Sequence, residues 1–473
     1  MEITTLYYII IVIVSVFVFY LIKDKYRLGF LILLSCAFIA TYSPRLLLYV
    51  LIYAAFNFFI AKEISTSTYG RTFYRIGIFV NLTQLILLRY ASFAIDPFFR
   101  LLNCETRIAV LSDFIIPIGI SYFTLQGIGY LINVRMKWEK PEGNFPDFFL
   151  YIIFAPKFIS GPIERSNHFL TQLKNARVFD SKNVSTGLRI ALVGFFKKVV
   201  IANHLGTAVT AFYSNPDLFG GAYVWLLIIL QPLYLYFDFS GYTDIAIGVS
   251  KMFGIDLLPN FNRPFLSGNV STFWKRFHIS LASWFNDYVF KQTSFKLRKW
   301  RQGSTIISLL LTWGLFGIWH GAGWNFMFLG LLQALAIIYE FYTKRARMKF
   351  FSCWPGGLRL HFARLVTFLF YGFSLTFFFS PDMETTKLLV SSLFQPMNTM
   401  HGELRAGPIL FGLAFAGIMM AGEIVKEDYN NIFYKVELIW SRHKLLRLSV
   451  YYILGFLILS QLGGTSVFVY QMF

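Results

Sequence analysis

Apolar runs of about twenty residues recur from Leu6 to the end of the chain, each closed by a short polar stretch. A hydrocarbon core about 30 Å thick needs roughly 20 helical residues at about 1.5 Å each. The pattern therefore predicts an all-α polytopic membrane protein of about eleven transmembrane helices, with shorter apolar segments that re-enter. It also predicts one integral membrane domain over residues 1–473. The first run, residues 6–22, has no basic stretch before it and no small-residue cleavage site after it, so it reads as a retained span.

The sharpest interruption is residues 257–287, where Pro259, Asn260, Asn262, Arg263, Pro264 and Gly268 break the apolar pattern. Proline and glycine there remove helical hydrogen bonds. Such backbone is tolerated at membrane depth only when buried in protein or lining a cavity. No internal repeat, low-complexity tract or long loop appears elsewhere. Function must be built in or at the membrane.

Composition agrees. Hydrophobic residues make up 56% of the chain and charged residues 14%, against about 25% charged in soluble proteins. The net charge of +19 lies in short loops between spans, which is the signature of topology rather than of nucleic-acid binding. Lys23, Lys25 and Arg27 follow the first span, only Arg45 the second, and Lys62, Arg71 and Arg75 the third. This alternation puts the N-terminus outside and the basic loops in the cytoplasm. Lys291, Lys296, Arg298, Lys299, Arg301, Lys344, Arg345, Arg347 and Lys349 extend the same side. They would attract anionic lipid by about 1 kcal/mol per charge. Cys36, Cys104 and Cys353 are widely separated and suggest neither a disulfide framework nor a metal motif.

Of seven histidines, His168, His204, His361, His401 and His443 lie near loops or charged neighbours. His320 does not: it stands in "GIWHGAGWNF" between two long apolar runs. Its charged form would be costly there, and a neutral imidazole can accept a proton. Gly317, Gly321 and Gly323 remove bulk beside it, admitting a substrate or a second helix. On the residues alone a buried structural histidine is an equal reading.

His278 lies in "NVSTFWKRFHISLASWFNDYVF". Ser271 can cap a helix there, and Arg276, Ser280, Ser283 and Asp287 recur at helical spacing as a polar face. His278 falls on the opposite face with Trp274, Leu281 and Phe285, pointing inward. Asp238 and Asp244 lie in an apolar aromatic run where acids are expensive, and they are expected to pair with basic groups, Arg263 and Arg276 being nearest in sequence. No GxSxG elbow, Walker A loop, GxGxxG after a strand or HExxH is present, and Asn325 replaces the aspartate of an HxxxxD pattern.

"WKRFHISLASWFNDYVF" followed by "WGLFGIWHGAGWNF" resembles the membrane-bound O-acyltransferase (MBOAT) family. "PIGISYFTLQGIGYLINV", "FAPKFISGPIERSNHFLTQL", "GFFKKVVIANHL" and "FDFSGYTDIAIGVSKMFGIDLLPNFNRPF" are similar to its alginate and polysaccharide O-acetylation branch. Together they make residues 110–330 the core motif region. Asn133 departs from an expected aspartate, and the last hundred residues carry no comparable likeness.

The resemblance implies an acetyltransferase with a central tunnel, His320 as its catalytic histidine and His278 as the partner. Trp274, Arg276, Ser280, Asp287, Trp319, Asn325, Asn262 and Arg263 would line the tunnel or hold the donor, while Asp238 and Asp244 would be structural. It implies no bound cofactor and no metal. Acetyl-CoA or an acyl carrier would be the donor, with an exported polysaccharide or a secreted, periplasmic SGNH-type acetyltransferase as acceptor or partner. The setting would be the bacterial cytoplasmic (inner) membrane. D-alanyl transfer to teichoic acid-type polymers, and a polysaccharide or lipid translocator without enzymatic activity, are the alternatives.

Overall fold

The computed structural model describes residues 3–90, 119–174, 179–395 and 404–463. Cys104, His401, Pro117 and Ile118 lie outside the described residues. Among those described, the chain is helical apart from loops and one isolated antiparallel bridge, Phe261 to Phe277. Among the described residues, seven helices are long and apolar enough to cross a membrane. They run over Pro44–Thr66, Ala222–Met252, Gln302–His320, Trp324–Cys353, Gly356–Phe379, Ala406–Asp428 and Lys444–Gln461. Leu6–Leu21 is apolar but shorter.

The chain divides into two compact units. The first comprises residues 1–191 and 243–259. Its helices include α1 (Leu6–Leu21), α2 (Asp24–Ala40), α3 (Pro44–Thr66), α4 (Gly70–Arg89) and α5 (Ile120–Arg135). Thr5 caps α1 and Ser43 caps α3, each side chain accepting an amide hydrogen bond. Helices α3, α4 and α5 are joined by buried polar side chains. The Asn81 amide donates to Asn57 Oδ1 at 2.9 Å, and the Tyr53 hydroxyl donates to Asn81 Oδ1 at 2.7 Å. Three short helices follow: α6 (Phe145–Ile153), α7 (Ala155–Phe158) and α8 (Ser166–Leu173). Buried Lys157 donates to Gln126 Oε1 and to the Tyr151 carbonyl. Buried Glu164 accepts from the Leu258 amide at 2.5 Å and meets His168 Nδ1 at 2.8 Å.

The second unit comprises residues 192–242 and 260–473. Helix α9 (Ser181–Phe195) begins in the first unit and ends in the second, where a π-helical stretch, Phe196–Ala202, and α10 (Asn203–Ser214) follow; α11 (Ala222–Met252) starts in the second unit and ends in the first. Next come α12 (Val270–Trp274), α13 (Ile279–Phe285) and α14 (Lys291–Lys296). The long α15 (Gln302–His320), α16 (Trp324–Phe350) and α17 (Gly356–Phe379) follow. Helix α18 (Met383–Ser392) precedes α19 (Ala406–Asp428), α20 (Asn430–Arg442) and α21 (Lys444–Gln461). Helix α21 buries only Ile458, so the rest of its apolar surface suits lipid.

Glycines set the closest helix approaches of this unit. A Cβ on Gly317 would lie 2.2 Å from the Phe326 carbonyl oxygen, and one on Gly330 would lie 2.0 Å from that of Trp313. Helices α15 and α16 therefore touch backbone to backbone. Small residues permit that in lipid, where packing rather than hydrophobicity joins helices.

Candidate active site

His320 is the last residue of α15, and α16 begins at Trp324. The imidazole is 5% exposed, ringed edge-on by Phe316 at 4.8 Å, Trp319 at 5.0 Å and Phe378 at 5.4 Å between centroids. Of the two readings of Gly321 and Gly323, a substrate or a second helix, the helix is the one found. A Cβ on Gly321 would lie 2.2 Å from the Phe326 ring, and one on Gly323 would lie 2.3 Å from Asn325 Oδ1. The room these glycines release is occupied by the start of α16.

The continuous amphipathic helix expected across residues 271–287 is also corrected. The chain forms α12, breaks, and resumes as α13, with His278 at the break in a left-handed conformation, φ +48° and ψ 49°. Of the polar positions Arg276, Ser280, Ser283 and Asp287 that suggested one long helix, only Ser280 and Ser283 fall within α13, and none falls within α12. Tertiary hydrogen bonds hold the break. The Asn262 amide donates to the Arg276 carbonyl at 2.9 Å, and the Ile279 amide to the Asn260 carbonyl at 3.0 Å. The Ser280 amide donates to Asn260 Oδ1 at 3.1 Å. A left-handed non-glycine residue costs about 1–3 kcal/mol and persists only where its surroundings over-determine it. The cap differs too: Asn269, not Ser271, accepts from the Thr272 amide, at 2.7 Å. The Glu340 carboxylate takes the Val270 and Ser271 amides.

His278 is fully buried, edge-on to Phe239 at 4.7 Å and to Trp319 at 6.1 Å. Trp319 thus touches both imidazoles. Full burial disfavours the charged form of the His278 imidazole.

Trp274, 7% exposed, donates from its indole to Gln333 Oε1 at 3.1 Å and packs on Trp313 and Phe316 at 4.9 Å each. It belongs to the aromatic wall that ends at His320. Asn325 is buried and spends its amide on the Phe377 and Ser380 carbonyls at 3.1 and 2.8 Å, clasping α16 to the end of α17. Ser280 is buried in the first turn of α13. Arg263 and Arg276 both bind Glu427, at 2.7 and 2.8 Å, and Asn262 lies beside them. Asp287 is remote in character, a half-exposed carboxylate paired with Lys291 at 2.8 Å.

Asp238 pairs with Lys198, both nearly inaccessible, and not with Arg263 or Arg276. A Cβ on Gly241 would lie 2.8 Å from the Lys198 amide, which explains how the two backbones come close enough for the pair. Asp244, 6 residues further on, is only partly buried. Sequence reasoning passed over Lys198, Gln333, Glu340, Arg364, Glu427 and Asp428. The signal available was a polar or charged side chain within or at the end of an apolar span.

Residues 142–381 match the family described as MBOAT, membrane-bound O-acyltransferase. The chain is 30% identical over 386 residues to the peptidoglycan O-acetyltransferase of Helicobacter pylori, covering 75% of this chain and 71% of that one. It is 31% identical over 334 residues to the probable alginate O-acetylase AlgI of Pseudomonas aeruginosa, covering 67% and 63%. It is 33% identical over 239 residues to the teichoic acid D-alanyltransferase of Bacillus subtilis, covering 48% and 60%. The chain thus spans slightly less than two thirds of the alginate and teichoic acid relatives.

Proposed function

The chain belongs to the membrane-bound O-acyltransferase family and is an O-acyltransferase, and on that premise we propose that it moves an acetyl group from a cytoplasmic thioester, acetyl-CoA, to a hydroxyl on the outer side of the bacterial inner membrane. The acceptor is an exported polysaccharide or peptidoglycan glycan, reached directly or through a secreted SGNH-type acetyltransferase, and the N-terminus faces outside. One observation carries the chemistry: two buried imidazoles, His278 and His320, share the Trp319 ring as neighbour. The acetyl group is favoured over D-alanine because the relatives named for acetylation align with 67–75% of this chain, against 48% for the D-alanyltransferase.

In this reading His320 takes the proton of the acceptor hydroxyl as its oxygen attacks the thioester carbonyl. The carbon–sulfur bond then breaks, its electron pair leaving on sulfur, which takes up a proton. General-base help of this kind is worth roughly 10²–10⁴ in rate. His278, held at a backbone break, orients the reacting groups. The aromatic wall of Trp274, Trp319 and Phe378 excludes water, which strengthens electrostatic effects inside and prevents hydrolysis of the donor.

The test is reconstitution in vesicles with radiolabelled acetyl-CoA inside and a glycan acceptor outside, comparing wild type with His320→Ala and His278→Ala. Transfer should fall at least 10²-fold in His320→Ala. Undiminished transfer in that variant would overturn the assignment. Label transferred only from a D-alanyl carrier protein would replace the acetyl group by D-alanine, and a glycan carried across without any acyl donor would replace the enzyme by a translocator.

A further inference from the structure

The segment bearing His278 is tied down from beyond the residues that match the family, which end at 381. Helix α19 closes with "KED", and its two carboxylates reach three arginines. Glu427 Oε2 accepts from Arg263 Nη1 at 2.7 Å, and Glu427 Oε1 from Arg276 Nη2 at 2.8 Å. Asp428 receives both terminal nitrogens of Arg364, at 2.5 and 2.8 Å, while Arg364 Nε donates to the Leu266 carbonyl at 3.1 Å. Arg263 and Arg276 flank the hydrogen bond between the Asn262 amide and the Arg276 carbonyl that closes the loop, and Arg263 is itself left-handed at φ +50°. Two residues after Arg276 stands His278. A bidentate guanidinium fixes direction as well as distance. The two adjacent carboxylates therefore hold both arms of the loop and its middle at once.

We propose that Glu427 and Asp428 are positioning residues for His278. Clamping Arg263, Arg276 and Arg364, they keep residues 260–278 in the one loop conformation that presents the imidazole beside Trp319 and His320. This deepens the transfer reaction proposed above and rests on it. Without the Glu427 carboxylate, two arginines 13 residues apart in sequence lose their shared partner. The loop can then relax both left-handed residues and let His278 swing away. A displacement of about 1 Å costs on the order of 10² in rate.

The experiment uses the full chain in proteoliposomes, with Glu427→Gln, Glu427→Asp and Asp428→Asn made in wild-type and His278→Ala backgrounds. We expect Glu427→Gln to lower kcat for acetyl transfer 10- to 100-fold while the KM for acetyl-CoA changes less than threefold. Glu427→Asp should restore part of the rate. In the His278→Ala background Glu427→Gln should lower transfer no further, because its effect passes through that imidazole. A second readout needs no activity: carbethoxylation of purified protein by diethyl pyrocarbonate, mapped by mass spectrometry, should reach His278 in Glu427→Gln and Asp428→Asn but not in wild type. The inference is overturned by wild-type kcat in Glu427→Gln, or by full additivity with His278→Ala. It is equally overturned if His278 stays as unreactive in Glu427→Gln and Asp428→Asn as in wild type. Wild-type transfer in His278→Ala with normal carbethoxylation changes in the clamp variants would instead leave the clamp standing and remove the role of His278 in the reaction.

Discussion

The contact of α15 with α16 sets where His320 sits, and Gly317 tests it. Replacing Gly317 by alanine in a helix that packed loosely would stabilise the protein by up to about 1 kcal/mol, because alanine is the better helix former. Here the added Cβ would meet the Phe326 carbonyl oxygen at 2.2 Å, the Gly330 nitrogen at 3.0 Å and the Gly330 Cα at 3.1 Å. All three are backbone atoms, which no rotamer change can move aside. Ordinary non-bonded contacts of carbon lie near 3.5 Å, so the helices must part locally by on the order of 1 Å. Overpacking of this kind costs about 1–3 kcal/mol, enough to reverse the sign of the propensity gain. His320 lies 3 residues further along the same helix and moves with it, so transfer should fall by about 10². Gly314 is the control: one turn earlier, its Cβ would find only Leu331 Cδ2, at 4.0 Å. Gly314→Ala should raise the thermal midpoint slightly and leave transfer at the wild-type rate. Thermal midpoints in detergent, read by loss of the monodisperse peak, and acetyl transfer in vesicles measure both variants. A Gly317→Ala protein as stable and as active as Gly314→Ala would refute the helix contact and its link to His320.

Two further outcomes follow from the buried polar groups. Asp238→Asn removes the carboxylate that the buried Lys198 ammonium pairs with and should cost about 3–5 kcal/mol, whereas Asp238→Leu with Lys198→Met, which removes both charges, should cost less; equal losses in the two thermal-shift measurements would contradict the pairing. Glu164, hydrogen-bonded at 2.8 Å, raises the His168 pKa above its ordinary value. A folded pKa above the unfolded one contributes stability that is fully present below the unfolded value, about 6.5, and lost as pH rises through the raised folded value. The thermal midpoint of wild type minus that of His168→Gln should therefore be largest in acid and shrink across that window, and a difference that grew with pH would refute the pair.

Local signals in the sequence carried much of this structure. Long apolar runs marked the spans, and the polar gap after "GIW" placed His320 at a helix end, where α15 stops. The polar rhythm of Arg276, Ser280, Ser283 and Asp287 was real, yet it misled. Only Ser280 and Ser283 fall within α13, Arg276 lies in the break before it and Asp287 in the π-helical stretch after it, and the break is held by Asn260 and Asn262 from another part of the loop. Asp238 was paired by sequence distance with Arg263 or Arg276, whereas the fold supplies Lys198, 40 residues earlier, through a glycine-permitted approach of two backbones. Glu427 and Asp428 were passed over because nothing local says that three arginines converge there.

These omissions share a cause in the solvent. Between helices in lipid there is no hydrophobic drive to choose one packing over another, since acyl chains are as apolar as leucine. Position then depends on close backbone contact and on polar groups that must find partners away from water. The site is built in that way: Asn260 and Glu340 hold the two ends of the His278 loop, Gln333 holds Trp274, and Asn325 holds the start of α16 against α17. Each clasp pairs residues far apart in sequence, so none has a periodicity. A buried polar side chain in such a chain is better read as half of a bond whose other half must be sought than as a reactive group in its own right. Aromatic rings surround both His278 and His320. Such an enclosure disfavours the charged form of an imidazole, and a neutral imidazole can accept the proton that acyl transfer to a hydroxyl must release.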